Sequence, residues 1–137
     1  MAETLRDLVA GYLAHCRTRD PKFEEIAMRI TGATFGSPPK VQWAIILEAV
    51  KQATDADLGH VAAGPLEGLL GLHGASWIET IENQAKSDPK FARAVTGVWK
   101  YLMKDDVWER VKLIKDLVPF DQWLPAGIAE LKKRKTS

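Results

Sequence analysis

The use of proline restricts the fold more than any other feature of the chain. Asp20-Pro21, Ser37-Pro38, Gly64-Pro65 and Asp88-Pro89 each place a plausible helix cap directly before a proline. Proline lacks the amide hydrogen that a helix interior or a central strand needs, but it suits the first helical position, where that hydrogen would have no partner. Each pair therefore predicts a helix start. The apolar residues around these starts recur at spacings of three and four. Leu5, Leu8, Val9, Tyr12, Leu13 and Cys16 form one stripe, and Phe23, Ile26, Ala27 and Ile30 a second. Phe91, Ala94, Val95, Val98, Trp99 and Leu102 form a third, and Val107, Val111, Ile114 and Val118 a fourth. No comparable stretch alternates with period two. The expected fold is all-α, a compact bundle of roughly seven or eight helices joined by short turns, and stacked helix pairs of the HEAT kind are one arrangement this pattern allows.

Two segments are apolar on more than one face and are expected at the centre. After Pro38, Trp43, Ile46, Leu47 and Val50 face one way and Val41, Ala44 and Ile45 the other. Between Gly64 and Gly74, Leu66, Leu69 and Leu70 oppose a line of Gly64, Gly68 and Gly71. A helical glycine costs about 1 kcal/mol against alanine, so this line predicts close approach by a neighbour's backbone, with Gly74 ending the helix. Asp20-Pro21-Lys22-Phe23 recurs as Asp88-Pro89-Lys90-Phe91 and is read as one helix-start solution used twice. Residues 32–39 form the longest expected loop. No linker divides the chain, so 1–137 is expected to be one domain ending in a basic tail, 132–137.

Composition agrees with an ordinary globular chain of 137 residues, 46% hydrophobic and 27% charged. A single cysteine, Cys16, excludes an internal disulfide and a cysteine-based zinc cluster. The start of the chain has no basic stretch leading into an apolar run, and no segment reaches the ~20 apolar residues of a membrane span, so the cytoplasm is the expected compartment. The net charge of +1 hides an asymmetry, because Lys132, Lys133, Arg134 and Lys135 stand together. Removing those four leaves fifteen Lys and Arg against eighteen Asp and Glu, a body of −3. That balance does not suit a duplex-binding domain.

Glu67 is the only charged residue between Asp57 and Glu79. With Gly64 as cap and Pro65 first in the helix, it would stand third, where a carboxylate accepts from free backbone amides. Burial would instead suit it to acid or base work beside His60 and His73, although a histidine on an apolar face is more commonly structural. Asp55 with Asp57, and Glu79 with Glu82, could approach an oxygen-liking ion, but solvated or capping roles are expected, and no metal-ligand spacing is present. Cys16 lies in an apolar stripe with His15 turned about 100° away. Residues 32–36, Gly-Ala-Thr-Phe-Gly, lack the lysine and hydroxyl of a phosphate loop. No catalytic constellation and no cofactor motif is found.

The tryptophan count is high, at five. Trp43, Trp77 and Trp99 are expected in the core. Trp108, beside Asp105 and Asp106, and Trp123, in an irregular segment, are the candidates for contact with a partner.

The run His60-Val61-Ala62-Ala63-Gly64-Pro65-Leu66-Glu67-Gly68-Leu69-Leu70 with His73-Gly74, then residues 78–82, Asp88-Pro89-Lys90-Phe91, Val98-Trp99 and Asp106-Val107-Trp108-Glu109-Arg110-Val111, resembles a bacterial family of small all-helical proteins of unknown function. The resemblance spans residues 58–113. It implies an all-helical fold and brings no activity with it. Gly68 stands where such sequences often carry an acidic residue, which weakens a paired-carboxylate site with Glu67.

The function expected from these observations is a non-catalytic protein-interaction module. Its most concrete form is an immunity or inhibitor protein that blocks a toxin or nucleic-acid enzyme with Asp105, Asp106, Trp108 and Trp123. Two alternatives remain: a small hydrolase or metal-dependent enzyme using His60, Glu67 and His73, and nucleic-acid binding through the basic tail.

Overall fold

The computed structural model describes residues 4–136, and the side chains of all of these except positions 34, 35, 135 and 136. Its helices are α1 (Leu5–Thr18), α2 (Glu24–Gly36), α3 (Pro39–Gln52), α4 (Asp55–Val61), α5 (Glu67–Ser87), α6 (Pro89–Val95), α7 (Asp105–Lys115) and α8 (Pro125–Thr136). Among the described residues there is no strand, and the all-α expectation holds.

Local chemistry explains most of the helix starts. Asp88 accepts from the Phe91 amide at 3.1 Å and caps α6 as expected. Asp20 accepts from the Lys22 amide at 3.0 Å, which opens a 3-10 turn, Pro21–Phe23, and α2 follows it. At Ser37-Pro38 the start moves one residue along, with Pro38 as the cap and Pro39 first in α3. Thr54 and Asp57 form a reciprocal capping box that begins α4.

The expected start at Gly64-Pro65 is overturned. Helix α4 runs into a π-helical turn, Ala62–Leu66, that passes directly into α5, so Pro65 lies inside a continuous helical stretch. The wider hydrogen-bonding pattern of a π-turn accommodates a missing amide and a bulky ring where an α-turn would break.

Gly74 does not end that helix either. The chain bends at His73, with φ −135° and ψ 22°, and continues to Ser87. Gly74 serves instead as a contact point, since a Cβ there would fall 2.8 Å from Val107 Cγ1 of α7. Along the glycine line, a Cβ at Gly64 would meet the Tyr12 hydroxyl at 3.1 Å, and one at Gly71 the Leu102 Cβ at 3.1 Å with the Leu102 backbone behind it at 3.9 Å. The third stripe is interrupted as well. Helix α6 stops at Val95, the Thr96 hydroxyl donates to the Arg93 carbonyl at 2.7 Å, and Gly97 is wedged where a Cβ would meet Leu124 and Ala62. The expected loop at residues 32–39 contracts to Ser37 and Pro38, because α2 extends through Gly36.

Ile45, Ile46, Ala49 and Val50 of α3, Leu66, Leu69 and Leu70 around the π-turn, Phe91 of α6 and Val111 of α7 share one core. The second central helix is thus buried as expected. Helix α3 is not sandwiched, since Val41 is 43% exposed and Ala44 also faces out. Trp43 packs at 5.9 Å from Trp77 and 5.6 Å from Phe91, ring to ring, at the edge of this core.

One buried charge ties the amino-terminal helices together. Asp57 receives Arg17 Nε at 2.9 Å and Nη2 at 2.6 Å, and it also accepts from the Thr54 amide and hydroxyl. These donors hold its carboxyl down to about 2, with the Arg17 guanidinium as the largest cause.

Candidate functional site

The segment between α6 and α7 crosses the junction of α5 and α8, and Trp99 joins the two. Its backbone amide donates to Glu67 Oε1 at 2.6 Å, and its indole Nε1 donates to the Ala126 carbonyl at 2.9 Å. Glu67 therefore does not cap its own helix. The π-turn leaves no free helix end there, so the half-buried carboxylate turns to a distant amide instead. Burial pushes the Glu67 carboxyl up, while the Trp99 amide and the charge of Lys115 draw it back.

Lys115, the last residue of α7, is fully buried. Its Nζ donates to the Val98 carbonyl at 2.7 Å and lies 4.9 Å from the Trp108 ring centre and 5.7 Å from that of Trp123. Burial pulls it down to about 8, with Glu130 and Glu67 opposing and Arg134 reinforcing that shift. Glu130 and Arg134 of α8 form an ion pair at 2.7 Å. Arg134 stands 5.2 Å over Trp108, and Lys133 stands 5.4 Å over Trp99. Cations placed this way are attracted by the negative face of the indole.

A cavity of about 610 Å³ opens beside these groups, lined by Ala63, Glu67, Trp99, Tyr101, Glu130 and Arg134 among others. At its mouth Tyr101 is 71% exposed and holds a positive φ of 43°. Arg19 also has a positive φ, 56°, but there it closes α1 with a bond from its amide to the His15 carbonyl.

The structure redistributes the residues singled out in the sequence. Trp108, expected to meet a partner, is only 4% exposed, because Lys115 and Arg134 cover it. Trp123 is half-buried and donates to the Val118 carbonyl at 2.9 Å. Asp105 and Asp106 are exposed in the first turn of α7, with Lys100 on Asp105 and the Val107 amide on Asp106. His60, Glu67 and His73 open onto three different cavities. His60 lines one of about 560 Å³ with Tyr12 and Cys16. His73 lines a small one of about 140 Å³ with Leu70 and Lys104. Asp55 pairs with Arg93 at 2.6 Å and Glu82 with Arg110. Among the described residues no group of three or more His, Cys, Asp or Glu is placed to hold a metal ion. Within the basic tail Lys133 and Arg134 are seated on the body, whereas the side chain of Lys135 lies outside the described residues.

Sequence reasoning missed Lys115, Glu130 and the paired role of Trp99. For Lys115 a clue existed, since it follows Val111 by four and precedes Val118 by three, on the apolar face of its helix.

A family profile matches residues 18–117, and that family is DUF6869, a family of unknown function. The chain belongs to it. The match is wider than the resemblance over 58–113, reaching back to the end of α1 and forward past α7. It takes in Glu67, Trp99, Trp108 and Lys115, and it leaves α8 and nearly all of α1 outside. No curated protein and no solved structure matches the chain. None of the described helices is long and apolar enough to cross a membrane.

Proposed function

We propose that the protein is a non-catalytic interaction module that engages another protein through the cleft around Trp99 and Tyr101. The conformation of Tyr101 carries this reading. A tyrosine with positive φ is disfavoured by roughly 1–3 kcal/mol relative to glycine or asparagine, and such strain is typically kept where the side chain has work to do. Here it holds an aromatic ring out in solvent at the mouth of a cavity, beside Leu102, which is 59% exposed. The charged groups behind it are engaged within the protein: Glu67 by the Trp99 amide, Glu130 by Arg134 and Lys115 by the Val98 carbonyl. That arrangement favours recognition over acid or base chemistry.

The most concrete form of the reading is an immunity- or inhibitor-type protein that blocks a basic partner, which the −3 balance outside the terminal basic run favours. The enzyme alternative gains nothing from three side chains in three cavities, and the nucleic-acid alternative gains nothing from tail cations seated on indole rings.

Tyr101→Asn separates binding from folding. Asparagine accepts the positive φ, so the variant is expected to melt at or above the parent temperature. It should also lose at least tenfold in affinity for the partner recovered by chemical crosslinking to the full chain, as expected of a central aromatic contact. Unchanged affinity would sink the reading.

A further inference from the structure

The proposed interaction names a basic partner but not the surface that recognises its charge, and α8 supplies a clue to that surface. Among the described residues of this helix only Gly127 and Glu130 are fully buried, and its large apolar side chains, Ile128 and Leu131, are half-buried. Its attachments include polar and aromatic ones: the Trp99 indole on Ala126, Lys133 over Trp99, and Arg134 over Trp108. The Trp rings and Glu67 lie inside the family match, whereas the helix that supplies these two cations lies beyond it. The rest of the chain has the opposite net charge to that helix's basic run.

We propose that the Trp99–Trp108 face, with Glu67 beside it, is a seat for basic side chains, that α8 is its intramolecular occupant, and that a Lys/Arg-rich segment of a partner protein displaces α8 to bind there. Indole faces bind ammonium and guanidinium groups, and a nearby carboxylate and a net negative body attract them from a distance. The cavity of about 610 Å³ beside Trp99 gives an incoming segment its first foothold while α8 is still in place. An internal occupant lowers apparent affinity by the fraction of molecules in which the seat is open, so weakening it should strengthen binding. This proposal rests on the interaction reading above and specifies its partner.

The test uses the full chain and a synthetic peptide with the chain's own sequence over residues 125–137, titrated by calorimetry. Replacing both internal cations, Lys133→Gln with Arg134→Gln, should tighten peptide binding about tenfold relative to the parent. Gly127→Ala is a second route, because a methyl there falls on the Thr96 carbonyl oxygen and lifts α8 with its cations intact; it should act in the same direction. Trp99→Ala added to the double variant should abolish the gain, and a peptide with glutamine in place of every Lys and Arg should not bind. The proposal is overturned if neither variant binds the peptide more tightly, if the glutamine peptide binds equally, or if a duplex oligonucleotide gains affinity in place of the peptide. A chain that fails these tests while Tyr101→Asn still loses affinity for the partner recovered by crosslinking would leave the interaction reading intact and remove only the basic-segment assignment.

Discussion

Asp57, where α1 meets α4, and Lys115, at the end of α7 beneath α8, are both sunk below the surface, yet their surroundings treat the charge in opposite ways. Asp57 is saturated, with a two-pronged guanidinium and two donors from Thr54, and its ionised form is stabilised. Lys115 has a carbonyl and two indole faces but no carboxylate in hydrogen-bonding contact, and its ionised form is disfavoured. Removing one member of a satisfied pair strands the other, whereas removing an under-compensated charge relieves a cost. The amino-terminal charge is thus held by its partners, whereas the carboxy-terminal one is carried at a cost.

The sharpest way to break this contrast is Arg17→Met. It leaves Asp57 buried with only Thr54 for company and should cost about 2–3 kcal/mol in urea unfolding, toward the lower end for such pairs because the arginine is itself half exposed. A loss below about 1 kcal/mol would erase the difference between the two junctions.

A smaller effect is expected from pH. Lys115 gives up its proton near pH 8 when folded but near 10.5 when unfolded, so the unfolded chain holds the extra proton between those values. Lys115 should therefore contribute a rise of about 2 kcal/mol in stability as pH goes from 8 to 10. Two burial-raised groups act in the other direction, because the unfolded chain ionises first: the Cys16 thiol from about its ordinary value of 9.0 and the Tyr12 phenol from about 10.0. Asp57 mirrors Lys115 in sign: its contribution is present above the ordinary carboxylate value of 3.8 and is lost as pH falls toward 2. A parent that gains no more stability between pH 8 and 10 than Lys115→Met does would contradict the assignment of Lys115.

Smallest of all should be Lys115→Met at pH 7. Loss of the bond to Val98 and relief of the buried charge should nearly cancel, leaving the variant within about 1 kcal/mol of the parent, on either side. The same variant should lack the rise between pH 8 and 10.

The Asp-Pro-Lys-Phe echo marks how far local reading carries. Both copies cap their turns with the aspartate, as the sequence suggests. Yet Phe91 is completely buried against Trp43, whereas Phe23 stays half-buried with Lys22 over its ring. Periodicity and capping depend on a few neighbouring residues and can be read directly; depth depends on which distant element arrives to cover them. Gly64-Pro65 fails for the same reason. Its local chemistry favours a helix start, but it sits in a π-turn against the core, with the Tyr12 hydroxyl beside Gly64. The burial of Trp108 is likewise invisible locally, because the cations over its ring are Lys115 and, more than twenty residues away, Arg134 of α8.

The π-turn has a further effect on the angular phase of the helix that contains it. In an unbroken α-helix, residues seven apart return to nearly the same side, so His60 and Glu67 would look out together. A π-turn takes in one residue more than an α-turn, and each residue is worth about 100° of rotation, so everything downstream of Leu66 is dialled round relative to α4. Histidine and glutamate, aligned on paper, thereby face different cavities, and the carboxylate is aimed at the Trp99 amide. Deleting a single residue between 62 and 66 would restore the alignment and break that bond.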